Sequence, residues 1–243
     1  NGERNEMVVD LSNSPSGKYD IYYQNGANTG LAVSYYNKNT ANLTAVNAAT
    51  SAAELKSALI NDETKLGINK DDVTKYPQLS TILYNMYFAK STSKGFANMV
   101  DFTKKYNSVL FCLSTAELKT VEQFEKRLYY YQTSTGISYK NEFQNLSGDI
   151  QLALFTIFQS YNFSELECRQ AYIECVVLAS VAKSAKWSDL KQLLTVTYQD
   201  VARLNTGAGS TYLALRDKEA VFKKIQEQAA ISPYKSIADL RNG

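Results

Sequence analysis

The chain contains no histidine. That absence excludes His-dependent triads and dyads, histidine zinc or haem ligation and phosphohistidine chemistry, because no other side chain supplies a neutral base near pH 7 without a large pKa shift. Cysteine is scarce: Cys112, Cys168 and Cys175 are odd in number and lack CxxC spacing, so they make no disulfide framework. On one helix, Cys168 and Cys175 would lie about two turns or roughly 10 Å apart, beyond disulfide reach. Buried free thiols, acting as small hydrophobes, are therefore expected, and they favour a reducing compartment. No apolar run approaches the eighteen or so residues of a membrane span; the longest, 152–158 and 173–182, have the length of core helices.

No sign of charge dominates either. The formal net charge is +2, and basic and acidic residues number three and four in residues 1–50, twelve and eleven in 51–164, and eleven and nine in 165–243. Strong steering toward nucleic acid or anionic lipid is not built into any one third of the chain; a basic patch would have to be assembled in three dimensions. No GxxxxGK[ST] loop and no GxGxxG turn is present, so the familiar backbone cradles for nucleotides are missing. The nearest approach is residues 206–211, where Gly207, Gly209 and Ser210 could offer N–H groups to an anion, although the same residues also read as a helix C-cap followed by an N-cap. Asp71 and Asp72, with Asp62 and Glu63 upstream, lack the ligand spacing and central glycine of a calcium loop. No catalytic constellation, metal site or cofactor is expected.

What is present describes an ordinary folded protein: 243 residues, 44% hydrophobic and 21% charged, with only three prolines and eleven glycines to interrupt helices. The reading is mainly α: a multi-helix globular body with a small antiparallel β meander or hairpin at the N-terminus. Residues 1–50 read as a β-rich subdomain packed on the helical body, and residues 51–243 as a helical domain. In the first part, segments 6–11, 18–24, 31–37 and 43–46 are rich in β-branched and aromatic residues and are divided by turn residues. Asn25-Gly26 predicts a hairpin pairing 19–23 with 31–35, across a loop longer than the ideal two residues.

From Ser51 the pattern turns helical. Ser51 to Glu54, Ser114 to Glu117 and Ser164 to Glu167 have capping-box spacing and predict three helix starts. Pro77 predicts another running through Tyr87, Pro233 repeats that device near the C-terminus, and Ser188 and Ser210 are further N-cap candidates. Apolar stripes follow Leu118, Val121, Leu128 and Tyr131; Ile150, Leu154, Ile157 and Tyr161; and Leu190, Leu194, Thr197, Val201 and Leu204. Residues 165–184 are apolar nearly all round and predict the central helix. A last long helix is expected over 212–230, at the periphery.

The chemistry that remains is aromatic. Among eighteen tyrosines, Tyr22, Tyr23, Tyr35 and Tyr36 in the hairpin and Tyr129, Tyr130 and Tyr131 near a helix end put adjacent rings on different faces, so some must leave the core. Exposed tyrosine is a contact residue by preference. Lys126 and Arg127 precede the second cluster and Lys140 follows it, a mixture able to stack bases and neutralise phosphates. These ten residues form the candidate contact surface. The leading expectation is a non-enzymatic interaction or structural subunit of a larger assembly, with a protein partner or self-association. The alternatives are a nucleic-acid-binding protein of viral coat, nucleocapsid or replicase-accessory type, and a His-independent enzyme using Lys, Tyr, Cys or carboxylates.

The run from Ser93 to Val100 and the later Arg169-Gln-Ala-Tyr172 resemble, in the same order, the small helical replicase cofactors of coronaviruses. The resemblance covers short helical stretches. Pro233 interrupts the segment where that family has a continuous helix, and no residue role is carried over.

Overall fold

The computed structural model describes residues 17–26, 28–37, 40–89, 95–161, 163, 167–184, 186–204 and 216–242. Contacts divide the chain into two compact units, Asn1–Tyr106 and Asn107–Gly243. Helix dominates both, and no described helix is long and apolar enough to cross a membrane.

The first unit carries the hairpin, in which β1 (Gly17–Asn25) pairs antiparallel with β2 (Asn28–Asn37), with Tyr19 opposite Tyr35 and an irregularity between Ile21 and Tyr22. Asn25 pairs with Asn28, so the connection is the two-residue kind and shorter than the sequence implied; Thr29 and Gly30 join the strand. Gly26, at φ +60°, supplies the left-handed backbone that such a turn needs. The strand expected over 6–11 lies outside the described residues. That expected over 43–46 is helical instead: a 3-10 turn, Thr40–Leu43, runs into α1 (Thr44–Asn47). Leu43 and Val46 are both fully buried, and their three-residue spacing puts them on one side of a helical turn.

Four short helices follow: α2 (Ala52–Asn61), α3 (Glu63–Leu66), α4 (Lys70–Lys75) and α5 (Gln78–Tyr87). Ser51 caps α2 by accepting the Glu54 N–H, while the Glu54 carboxylate reaches past Ser51 to the Thr50 N–H and hydroxyl, both 2.8 Å away. Pro77 stands immediately before α5, as expected. Leu55 and Leu59 on α2 and Leu79 and Leu83 on α5 are fully buried, and the two helices pack together. Gly95, at φ +76°, brings the chain beneath Asn47 and Phe88. The Asn47 amide then brackets the next residue, donating to the Phe96 carbonyl and accepting the Phe96 N–H, both at 2.9 Å. The Phe96 ring meets Phe88 and Phe102 edge-on, and Lys105, paired with Asp101, lies over the Tyr87 ring at 4.4 Å.

The unit boundary falls inside α6 (Met99–Thr115). The second unit continues through α7 (Val121–Thr135), a π-helical turn (Tyr139–Gln144), α8 (Gly148–Ser160) and α9 (Cys168–Lys183). Beyond these come α10 (Trp187–Gln192), a second π-helical turn (Leu193–Thr197), α11 (Gln199–Ala202), α12 (Glu219–Ile231) and α13 (Ile237–Asn242). The expected central helix is α9: ten of its sixteen residues are buried, and it packs against α8, α11, α12 and the second π turn. One end of the core gathers Phe111, Phe124, Phe143, Phe155 and Phe158; the other gathers Val177, Leu178, Leu190, Leu194 and Phe222.

Three helix starts differ from expectation. Ser114 is buried inside the end of α6, its hydroxyl donating to the Phe111 carbonyl. The cap of α7 is Thr120, which accepts the Gln123 N–H while Gln123 accepts the Lys119 N–H at 2.7 Å, a Thr-x-x-Gln box six residues further on. Pro233 follows the Ser232 C-cap of α12 and so marks a stop; α13 begins beyond Ser236, whose hydroxyl accepts the Asp239 N–H. Ser188 lies within the first turn of α10, not before it. The starts expected at Ser164 and Ser210 fall outside the described residues, and α12 is described from Glu219, where Asp217 accepts two backbone N–H groups.

Candidate functional site

On α7, Phe124, Leu128 and Thr135 are buried and Tyr131 is half-buried against the same core, 5.9 Å from the Phe111 ring centroid. The opposite face carries Glu122, Lys126, Tyr129 and Tyr130, at the i, i+3 and i+4 spacings that make neighbours on a helix. Tyr129 is 61% and Tyr130 78% exposed. The triple tyrosine is thus divided as its spacing requires: Tyr131 enters the core and two rings leave it. Neither exposed ring stands alone, since Tyr130 meets Tyr131 edge-on at 4.9 Å and Tyr129 meets Tyr139 edge-on at 5.4 Å.

Tyr139 belongs to the first π turn, and nothing in the sequence reading singled it out. Its ring stacks on buried Phe143, and its hydroxyl donates to Glu125. That hydrogen bond is the largest cause raising its pKa. The turn has its own cap: Ser138 accepts the Asn141 N–H, and Glu142 accepts the Ser138 N–H at 2.6 Å.

Two residues near the start of α9 then fix this platform. Arg169 donates through Nε to the Gly136 carbonyl at 2.9 Å and through Nη2 to Glu142 at 2.7 Å. Tyr172, fully buried, donates its hydroxyl to the Glu142 carbonyl at 3.0 Å. Burial, followed by the nearby Glu142 charge, pushes the Tyr172 pKa well up. Gly136, at φ +70°, ends α7 in the left-handed conformation that turns the chain toward Arg169.

The other expected contact residues are placed less fully. Lys126 and Lys140 are exposed and Arg127 is half-buried. Tyr22 is 63% exposed on β1. Tyr23, Tyr35 and Tyr36 lie on the paired strands, with Tyr19 facing Tyr35 and Lys18 facing Tyr36 in the register, but their side chains are outside the described set. Gly207, Gly209 and Ser210 are outside the described residues altogether. A groove of about 360 Å³ lies between the two π turns of the second unit, with Glu142, Tyr172, Val176, Val196, Tyr198 and Asp200 among its walls.

No protein family model matches this chain, nor does any curated protein or solved structure. The geometry therefore stands on its own. Lys126 and Arg127 share α7 with the exposed rings and Lys140 follows in the π turn, while Glu122 and Glu125 balance the two basic residues of the helix. Backbone and side-chain hydrogen bonds at Thr120 and Glu122 hold the Glu122 carboxyl below the ordinary glutamate value, with Lys126 adding a smaller pull. Burial raises both Cys112 and Cys175 well above the ordinary cysteine value, which makes those two thiols poor nucleophiles.

Proposed function

We propose that this protein is a non-enzymatic interaction subunit of a larger assembly, and that it meets a protein partner or a second copy of itself through the Tyr129–Tyr130 face of α7. The observation that carries this reading is the pair of large rings held out of the core yet pre-ordered by edge contacts to Tyr131 and Tyr139. An aromatic ring already fixed in place loses little freedom on binding, which is why such residues anchor interfaces. The balanced charge around the rings favours a protein surface over a phosphate backbone, since nucleic-acid binding draws on an excess of cations.

The test is light scattering after size exclusion on the full chain and on Tyr129→Ala/Tyr130→Ala, with absorbance at 260 and 280 nm read across the peak. The expected result is a defined complex or oligomer, lost in the double variant at unchanged melting temperature. A monomer that captures no partner, or an assembly indifferent to the substitution, overturns the proposal. A second reading, nucleic-acid binding, rests on Lys126, Arg127 and Lys140 beside the same rings; salt-sensitive binding of a single-stranded oligonucleotide would replace the first reading with it.

A further inference from the structure

We infer that Cys112 and Cys168 are a disulfide-forming pair, a covalent modification site in the core of the second unit, and that Cys175 is not part of it. The two sulfurs lie 2.8 Å apart although 56 residues separate them in the chain. A bonded pair stands at about 2.05 Å, so less than about 1 Å remains to be closed. Cys112 comes from α6 and Cys168 is the first residue of α9. All three cysteines are free and buried in one apolar cluster. Cys175 sits two turns further along α9 and hydrogen-bonds to neither of the others.

The geometry also gives the two sulfurs different roles. Cys112 donates its S–H to the Cys168 sulfur, and burial followed by that hydrogen bond holds the Cys112 proton in place. Cys168 is therefore the attacking sulfur. With a small disulfide as oxidant, the Cys168 thiolate displaces one of its thiolates and forms a mixed disulfide. Cys112 then loses its proton, attacks the Cys168 sulfur and releases the second thiolate. One protein S–S bond replaces one small-molecule S–S bond, two S–H bonds break in the protein, and two protons and two electrons leave with the small thiols. The link would tie the end of α6 to the start of α9, closing the segment that holds α7, the first π turn and α8. Burial makes the exchange slow, and a reducing compartment keeps the pair as thiols.

The full chain is incubated with oxidised glutathione below its melting temperature, then unfolded, alkylated and analysed by intact mass and peptide mapping. The expected product is lighter by two hydrogens, with the Cys112 and Cys168 peptides joined, alkylatable thiols reduced from three to one and the melting temperature raised. Cys175→Ala keeps the cross-link; Cys112→Ala abolishes it. Three thiols still alkylatable, a stable glutathione adduct without cross-link, a bond to Cys175 or a link between chains overturns the inference. Because the wild-type peptide map decides each of these outcomes, a variant that fails to fold does not blunt the test.

Discussion

The described helices wholly inside the first unit reach at most ten residues, in α2 and α5, whereas the second unit is built on α7, α8 and α9, of fifteen, thirteen and sixteen. Short helices expose more uncapped ends per residue, and the first unit answers with polar clamps: Ser51 and Glu54 at α2, and the Asn47 amide bracketing Phe96. The second unit has such clamps too, at Thr120, Ser138 and Arg169, but adds more ring volume. Phe124 lies 5.5 to 6.1 Å from Phe111, Phe143, Phe155 and Phe158, and α9 runs through the whole core. Two ways of closing a helical core are thus used in one chain, one by fixing backbone and one by filling space.

The difference is sharpest where a ring is removed. Phe124→Ala should cost about 3–5 kcal/mol, the usual penalty for a buried Phe cavity, and hydrogen exchange should rise across α7, α8 and α9 while α2 and α5 keep their protection. Exchange rising equally in both units would dissolve the comparison.

Alkaline pH should follow in size, because several groups contribute. Burial is the first cause raising the pKa of Cys112, Cys175, Tyr161, Tyr172 and Tyr198 in the second unit. A raised folded-state pKa means the unfolded chain releases its proton first. Stability is therefore full below the ordinary cysteine and tyrosine values and falls as pH rises through about 9 to 10 and beyond. Melting temperatures at pH 8 and pH 10.5 check this; equal values would contradict the burial of these groups.

Gly95→Ala tests the first unit alone. An added Cβ would stand 2.5 Å from the Asn47 Oδ1 and 3.0 Å from the Phe88 ring, at φ +76°. The left-handed strain alone is worth about 1–2 kcal/mol, and displacement of the Asn47 clamp adds to it. The loss should appear as exchange at α1 and at residues 95–106, with α9 unmoved. Arg169→Leu should cost less, about 1–2 kcal/mol for two partly exposed charge-assisted hydrogen bonds, and should loosen the π turn beneath Tyr139. Tyr130→Ala, at a ring exposed in the isolated chain, should change stability by under about 0.5 kcal/mol, leaving any effect on assembly to be read cleanly.

Much of the fold was legible where one signal covered many residues. The all-round apolar character of 165–184 pointed to the central helix, seen as Cys168–Lys183, and Asn25-Gly26 pointed to the hairpin. Reading failed where two local patterns competed. Leu43 and Val46 satisfy a helical turn as well as a strand rich in β-branched residues, and only burial against the rest of the unit decides. Ser114 and Thr120 both have box spacing, but Ser114 lies where α6 is still buried. The candidate site was half legible: the three tyrosines divide as their spacing dictates, while Tyr139 and Arg169 reach it through hydrogen bonds spanning 14 to 33 residues. The approach of Cys112 to Cys168 leaves no local signal for the same reason, since 56 residues separate them in the chain.

The second π turn resets the register of a buried stripe. Its Tyr198 N–H donates to the Leu193 carbonyl, five residues back, at 2.8 Å. The stripe along α10 and α11 runs Leu190, Leu194, Tyr198 and Ala202, strict steps of four, where an uninterrupted α-helix would step four, three and four. One extra residue accounts for the difference, and Val196, 61% exposed at the crest of the widened turn, is where it shows. A chain lacking Val196 would restore the ordinary periodicity with the same core side chains facing inward. The wide turn is therefore what lets steps of four keep Leu190, Leu194 and Ala202 buried on one side.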